Sequence, residues 1–248
     1  MSHGDAAPIA LTTGEPAGIG PELVVQLLQQ PVDQSLCVLA DPDLLMERAA
    51  LIGLPLAIKD ERLIAPGGEA ALLSIELSAP SIAGELDVSN APYVLEMLGR
   101  AADGCLSGEF SALVTAPVQK STLIEAGNAF VGHTEFFAER AGVDMPVMML
   151  ASEHLKVALV TIHMPLSQVP GAITTERLES VIRTVYADLK GRFGIAQPVI
   201  GVCGLNPHAG ESGHLGKEEQ QVISPLLIAL RSEGLDVRGP LPADTAFT

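Results

Sequence analysis

The sequence of 248 residues has few basic side chains. It contains 14 Lys and Arg residues against 30 Asp and Glu residues, which gives a net charge of -16 at pH 7. A chain this acidic repels a phosphate backbone, and no local basic cluster offsets the charge, so neither nucleic acid nor an anionic membrane is expected as a partner. An anionic substrate would need local cationic side chains or backbone N–H groups in order to bind.

Cysteines, long apolar runs and metal-binding motifs are also scarce. The three cysteines, Cys37, Cys105 and Cys203, are odd in number and lie among apolar or small residues, which predicts reduced, packed thiols in a cytoplasmic protein. No apolar run approaches the length of a membrane span, and the first residues, MSHGDAAP, lack a signal-peptide pattern. Neither HExxH nor a paired CxxC is present, so no short motif by itself predicts a metal site.

The sequence does contain enough apolar residues for a sizeable core, as one large or two small domains. The hydrophobic content is 48% and the mean hydropathy is +0.35, which is typical of a globular protein. Short apolar, β-branched runs predict buried strands at Ile9–Thr12, Leu36–Ala40, Ala112–Thr115 and Val199–Cys203. Helical patterns lie between these runs, and the alternation of strand and helix predicts an α/β fold with a mostly parallel sheet.

Residues with capping side chains predict where several helices begin. Ser89 is predicted to cap a helix that ends near residue 106, and Thr134 or its neighbour to cap a helix over residues 136–140. Thr174 or Thr175 is predicted to cap a long amphipathic helix. The apolar face of that helix, which suits a core or a subunit contact, comprises Leu178, Val181, Ile182, Val185 and Leu189.

Further predictions concern the second half of the chain. Apolar runs at residues 147–151 and 155–162 predict a hairpin, with His154 solvated at its tip. Residues 216–231 are predicted to be helical with a kink at Pro225, and residues 239–245 to form an extended loop.

Two histidines follow predicted strands directly. His208 comes after Val199–Cys203 and a Gly-Leu-Asn-Pro turn, and His163 comes after the second strand of the hairpin. Ligands bind beyond the carboxyl ends of strands in open α/β sheets, and neutral imidazoles suit zinc, cobalt and similar cations. Two ligands leave a coordination sphere incomplete, however, and each histidine could instead hydrogen-bond only its own turn.

The first half of the chain offers three candidate anion sites. Residues 13–22 form a Gly-rich turn into a helix with Pro21 at its first position, although the turn matches no nucleotide fingerprint and close packing explains its glycines equally well. Lys120 lies just past a predicted strand and suits either an anionic substrate or solvent. His133 and Thr134 open a helix and suit a carboxylate or phosphate, or else Thr134 caps the helix while His133 packs on Phe137.

Six stretches give the chain a resemblance to a known family. They read TTGEPAGIGPE, VTAPVQK, GHTEFF, VTIHMPL, GLNPHAGESGHLGKEE and GPLPADT, and they occur in this order along nearly the whole chain. The sequence resembles the 4-hydroxythreonine-4-phosphate dehydrogenases of vitamin B6 biosynthesis. The resemblance implies a homodimer with a fold like that of isocitrate and isopropylmalate dehydrogenases, with one α/β lobe over residues 1–118 and a second, metal- and substrate-binding lobe over residues 119–248.

The same resemblance implies a reaction and roles for particular residues. NAD or NADP would oxidise 4-(phosphooxy)-L-threonine to a β-keto acid, which decarboxylates to 3-amino-2-oxopropyl phosphate. His163 and His208 correspond to ligands of one divalent cation (zinc, cobalt or magnesium), which would lower the pKa of the substrate hydroxyl. His133 and Thr134 correspond to substrate-binding residues. Lys120 and Asp244 lie in matching motifs without an assigned role.

Members of the family continue beyond the position of Thr248, and that portion carries a Tyr-His-Asp-Gln type motif with a third histidine ligand. The resemblance therefore implies an incomplete site, with weak or absent dehydrogenase activity for the 248-residue chain. Three other functions stay open at this point. They are a dehydrogenase of a related phosphorylated four-carbon acid, a metal-assisted hydrolase or lyase, and an inactive remnant.

Overall fold

The computed structural model describes residues 7–247, apart from the side chain of Ser212. The first six residues, where the sequence predicts no signal peptide, lie outside this range. The chain divides into two compact units, Met1–Pro146 and Val147–Thr248. The boundary that the resemblance predicts between two lobes, after residue 118, falls inside the first unit. The division into these lobes stays a prediction.

The first unit is built on a six-stranded sheet with the order β3-β4-β5-β2-β1-β6. The neighbours from β5 to β6 are parallel, and only β3–β4 and β4–β5 are antiparallel, which confirms the predicted α/β fold with a mostly parallel sheet. The strands are β1 (Ile9–Thr12), β2 (Leu36–Ala40), β3 (Ala57–Lys59), β4 (Arg62–Ala65), β5 (Gly68–Ser74) and β6 (Ala112–Thr115).

Strand β4 has no counterpart in the sequence prediction. The β3–β4 hairpin turns at Asp60 and Glu61, which both have positive φ angles, of 50° and 57°. Two-residue hairpin turns of this kind are usually signalled by Asn-Gly or Asp-Gly. Because this turn contains no glycine, the charged segment looks like a loop.

Five helices belong to the described part of the first unit: α1 (Gly20–Leu27), α2 (Pro42–Leu51), α3 (Ala91–Ser107), α4 (Lys120–Glu125) and α5 (His133–Arg140). Ser89 is not the cap of α3, because a 3-10 turn over Val88–Asn90 precedes this helix and the side chain of Asp87 accepts the Ser89 N–H. The cap predicted at Thr134 or its neighbour is also wrong, since Gly132 occupies the cap position of α5 and forms no side-chain cap there.

Alternate residues of each central strand point to opposite faces of the sheet, and each face has its own core. On one face, Ala10 and Leu39 pack against α3, where Tyr93, Met97 and Leu98 are fully buried. On the other face, Leu11 and Val38 belong to a second cluster, which includes residues of α1 and α2. The cysteines are free thiols, with Cys37 buried and Cys105 and Cys203 half-buried, and burial raises the pKa of Cys37 and Cys105.

The second unit contains two small sheets. Strands β7 (Met149–Ala151) and β8 (Lys156–Ala158) form an antiparallel hairpin with His154 exposed at the turn, as predicted. Strands β9 (Val199–Cys203) and β10 (Asp236–Leu241) are parallel neighbours. Residues 239–241 therefore belong to a strand rather than to the predicted loop. Strand β8 also ends before residue 162, so His163 does not follow a strand directly as the sequence predicted.

The described helices of the second unit are α6 (Val169–Ala172), α7 (Thr175–Gly191) and α8 (Ser224–Ser232). Thr174 caps α7 by accepting the Arg177 N–H at 3.2 Å, and all five predicted apolar residues of α7 are buried. A π-helical turn over Glu219–Ile223 leads into α8 at Pro225, which explains the predicted irregularity, because proline has no N–H to continue the α-helical ladder. Within residues 7–247, no helix has both the length and the apolar character that crossing a membrane requires.

Candidate substrate and metal site

The Gly-rich turn after β1 packs closely on the chain that follows β6. Strand β1 lies between β2 and β6, which makes its carboxyl end a switch point of the kind where α/β sheets bind ligands. A Cβ atom on Gly14 would lie 2.2 Å from the Pro117 carbonyl oxygen, and the Glu15 N–H donates to that oxygen at 3.0 Å. The glycines of this turn therefore serve close packing, which is one of the two interpretations that the sequence left open.

Acidic residues of this turn have structural partners. Glu22 pairs with the buried Arg48 at 3.2 Å, and Arg48 also donates to the carbonyl oxygen of Pro16. Glu15 is buried and accepts hydrogen bonds from the Ala17 N–H and the Thr122 hydroxyl, and burial raises its pKa. Because Thr122 lies in the first turn of α4, Glu15 connects the Gly-rich turn to the helix that begins at Lys120. No role is predicted for Glu15 from the sequence alone.

His133 lies in a pocket of aromatic rings at the start of α5. Its ring stacks on Phe137 with the centroids 5.9 Å apart and meets Phe130 edge-on at 6.1 Å. Among the described residues, the buried Nε2 atom of His133 has no hydrogen-bond partner. Burial first, and then the nearby Lys120 ammonium, lower the pKa of His133, so its imidazole is neutral near neutral pH. The stacking on Phe137 matches one part of the alternative that the sequence left open for His133, whereas the capping by Thr134 that belonged to the same alternative is not observed.

Lys120 and Glu135, in the first turn of α5, both lie close to Gly132. A Cβ atom at Gly132 would lie 3.0 Å from Oε2 of Glu135 and 3.5 Å from Nζ of Lys120. Thr134 is half-buried in the same turn. This corner of the first unit therefore gathers a cation, a carboxylate, a neutral imidazole, a hydroxyl and the N-terminus of a helix.

The lowered pKa of His133 predicts a pH-dependent stability. As the pH falls below the ordinary histidine pKa of 6.5, His133 takes up a proton in the unfolded chain before it does so in the folded chain. The folded state therefore loses stability with falling pH until the lower pKa of the folded state is passed. His133→Phe keeps an aromatic ring and removes the titration. We expect the free energy of unfolding to fall more steeply from about pH 7 to about pH 5 in the parent protein than in this variant, as urea titrations would measure. Equal slopes would contradict the prediction.

In the second unit, the segments before the two predicted ligands line one cavity of about 680 Å³. Val160 and Thr161, which precede His163, form part of its wall, and so do Cys203, Gly204 and Leu205, which precede His208. The apolar face of α7 lines another part of it.

The loop after β9 carries His208 on a tightly bonded backbone. The Gly204 N–H donates to the Leu241 carbonyl at 2.8 Å and the Asp244 N–H donates to the Pro207 carbonyl at 3.4 Å, so the loop of Asp244 lies beside that of His208. The His208 ring is exposed, and its Nδ1 lies 3.5 Å from Oε1 of Glu211. His163 is also exposed and has a left-handed backbone, with φ of 48°, which is uncommon outside glycine and occurs often at functional sites.

The donor set of this loop region suits a cation only in part. Within residues 7–247, no three His, Cys, Asp or Glu side chains are grouped as metal ligands. Exposed imidazoles are suitable ligands for zinc or cobalt, and a carboxylate against Nδ1 of His208 is the kind of partner that orients a ligating histidine through its other nitrogen. His163 and His208 therefore fit the chemistry of such an ion, but they supply two ligands where a structural or catalytic site needs at least three.

These features define an α/β protein with polar loops at the carboxyl ends of its parallel strands. The sequence model of the family described as "Pyridoxal phosphate biosynthetic protein PdxA" matches residues 32–248. The chain belongs to this family, as the resemblance predicted.

Curated relatives and solved structures agree with this assignment. The 4-hydroxythreonine-4-phosphate dehydrogenase of Serratia proteamaculans (strain 568) is 54% identical over 244 residues, which cover 96% of this chain and 74% of the relative. That of Yersinia pestis is 50% identical over 250 residues, with 99% and 76% covered. The crystal structure of the enzyme from Klebsiella pneumoniae superposes with a TM-score of 0.86 at 34% identity, covering 98% of this chain and 77% of the other.

Proposed function

We propose that this chain oxidises 4-(phosphooxy)-L-threonine with NAD or NADP, in pyridoxal phosphate biosynthesis. The product is a β-keto acid that loses carbon dioxide to give 3-amino-2-oxopropyl phosphate. The observation that carries the proposal is the similarity, at 54% identity over 96% of the chain, to a protein named 4-hydroxythreonine-4-phosphate dehydrogenase. The fold and the polar loops described above are compatible with this chemistry.

We propose His163 and His208 as two ligands of a divalent cation. Imidazole nitrogen favours zinc or cobalt over magnesium, which prefers oxygen ligands. The bound ion would supply a Lewis acid that lowers the pKa of the substrate hydroxyl. Glu211, beside Nδ1 of His208, would orient the ring so that Nε2 is presented to the ion.

We further propose that the first turn of α5 holds polar groups of the substrate. Backbone N–H groups at a helix N-terminus attract a phosphate or carboxylate, and the Thr134 hydroxyl adds a donor. The neutral His133 can donate or accept a hydrogen bond without adding charge, and Lys120 adds a positive charge close to it. These groups would offset the net charge of -16, which otherwise opposes an anionic substrate. A homodimer and a cytoplasmic location belong to the same proposal.

The test is a turnover assay with Co²⁺ and either NAD or NADP. Purified protein of verified mass is incubated with 4-(phosphooxy)-L-threonine and, in parallel, with phosphorylated threonate and erythronate. We expect reduced nicotinamide, detected by its fluorescence, and carbon dioxide with the threonine substrate. Nicotinamide reduction only with another four-carbon acid would reassign the substrate, and product without nicotinamide reduction would indicate a hydrolase or lyase.

A further inference from the structure

Glu219 is a buried carboxylate beneath the loop that carries His208. Its side chain is only 3% exposed, whereas glutamate residues usually lie at the protein surface. It opens the π-helical turn Glu219–Ile223, and single π-helical turns are found frequently at functional sites. A buried charge is costly unless hydrogen bonds compensate it, so the contacts of this carboxylate are informative.

One oxygen of Glu219 holds the backbone of the loop directly. Oε1 accepts the Asn206 N–H at 3.1 Å. Asn206 continues the connection, because its Oδ1 accepts the His208 N–H at 3.3 Å and its Nδ2 donates to the Leu215 carbonyl at 3.2 Å. A continuous chain of hydrogen bonds therefore runs from the Glu219 carboxylate through Asn206 to the backbone of His208.

Two glycines of the loop make room for this carboxylate. A Cβ atom on Gly204 would lie 3.0 Å from Oε1 of Glu219, and one on Gly210 would lie 2.6 Å from Oε2. Gly210 also has a φ of +75°, which favours glycine. At both glycines the loop backbone therefore lies close to the Glu219 carboxylate, and His208 lies between these glycines in the sequence.

From this geometry we propose that Glu219 is a positioning residue, which fixes the conformation in which the loop presents His208 to the cation. The inference rests on the proposed function, in which His208 is a ligand. Oε2 of Glu219 has no hydrogen-bond partner among the described residues, so no hydrogen bond offsets the cost of burying this oxygen. The hydrogen bond from the Asn206 N–H to Oε1 is the direct link between Glu219 and the loop, and Asn206 transmits its position to His208.

The test compares Glu219→Ala with Glu219→Gln and with Ile223→Ala as a matched control. Ile223 lies on the same turn, is 3% exposed and belongs to the core cluster of the unit, so its truncation destabilises the fold while the hydrogen bond between Glu219 and Asn206 stays in place. Amide hydrogen exchange is measured over residues 204–216, and Co²⁺ affinity is measured by calorimetry on the full chain. Loss of a partner that supports a metal ligand typically costs about 10- to 100-fold in metal affinity.

We expect Glu219→Ala to raise amide exchange at Asn206 and His208 and to weaken Co²⁺ binding by about tenfold or more. Glu219→Gln keeps an acceptor for the Asn206 N–H and should restore most of both properties. Ile223→Ala should leave Co²⁺ affinity unchanged. If Glu219→Ala and Ile223→Ala have the same effect on loop exchange, the inference is overturned. If His208→Ala leaves Co²⁺ binding unchanged, the ligand assignment fails instead, and loop exchange still decides the role of Glu219.

Discussion

Replacing both His163 and His208 by alanine is expected to abolish the binding of Co²⁺ to this protein. The two imidazoles are the ligands that the proposed function assigns to the cation, and both rings are exposed on loops that adjoin the same cavity wall. Removing a partner outside the coordination sphere lowers metal affinity by about 10- to 100-fold. Removing a ligand should lower the Co²⁺ affinity by more than that. Calorimetric titration of Co²⁺ into each single variant and the double variant measures the effect.

His154 provides the matched control for this experiment. It lies in the same unit, at the tip of the β7–β8 hairpin, with its side chain 88% exposed, and it lines the same cavity. His154→Ala removes an imidazole of equal chemistry from a place where no ligand role is proposed, so Co²⁺ binding should not change. Equal losses in the control and in the double variant would indicate adventitious binding to surface histidines and would refute the ligand assignment.

Substitution of Gly14 by alanine is expected to destabilise the first unit strongly. Gly14 has a φ of +70°, and a Cβ atom there would lie 2.2 Å from a backbone oxygen of Pro117. A left-handed backbone costs a residue with a Cβ about 1–2 kcal/mol, and forcing an atom into a packed site adds about 1–3 kcal/mol. We therefore expect a loss of about 2–5 kcal/mol in the free energy of unfolding, as urea titration would measure.

Gly53 separates the two contributions. Its φ is +67°, and nothing lies within 4 Å of a Cβ atom placed there. Gly53→Ala should therefore show only the backbone cost of about 1–2 kcal/mol. A Gly14→Ala variant that is no less stable than Gly53→Ala would show that the turn after β1 moves away from Pro117 easily. In that case, close packing would not explain why glycine is needed at this position.

Sequence patterns predicted the central strands and the amphipathic helix because these elements are determined within short windows. The run at Leu36–Ala40 is apolar throughout and becomes a fully buried strand. Thr174 precedes an apolar stripe at helical spacing and becomes the cap of α7. Errors arose where two local signals compete. Ser89 suits a cap, but Asp87 lies two residues earlier and accepts a hydrogen bond from the Ser89 N–H.

The family motifs led to His133, Thr134, His163 and His208, whose roles as substrate- and metal-binding residues stay proposals. The same motifs contain Glu15 and Glu219, to which the sequence analysis gave no role. In the sequence Glu219 lies among polar residues, between Glu218 and Gln220, so it looks like an ordinary solvated acidic side chain. Its significance depends on a contact with Asn206 that only the folded loop creates.

The sequence by itself determined the α/β class, the positions of four strands and the family, because alternation, capping chemistry and motif identity are properties of neighbouring residues. The burial predicted for the strands at Ala112–Thr115 and Val199–Cys203 was wrong, since both strands have exposed positions. The tertiary structure decided how these residues are used. It packed the backbone of Pro117 against the Gly-rich turn, paired Glu22 with Arg48, and placed Glu219 beneath the loop of His208. These contacts join residues that are distant along the chain, and their distances are fixed only when the sheets and helices have packed.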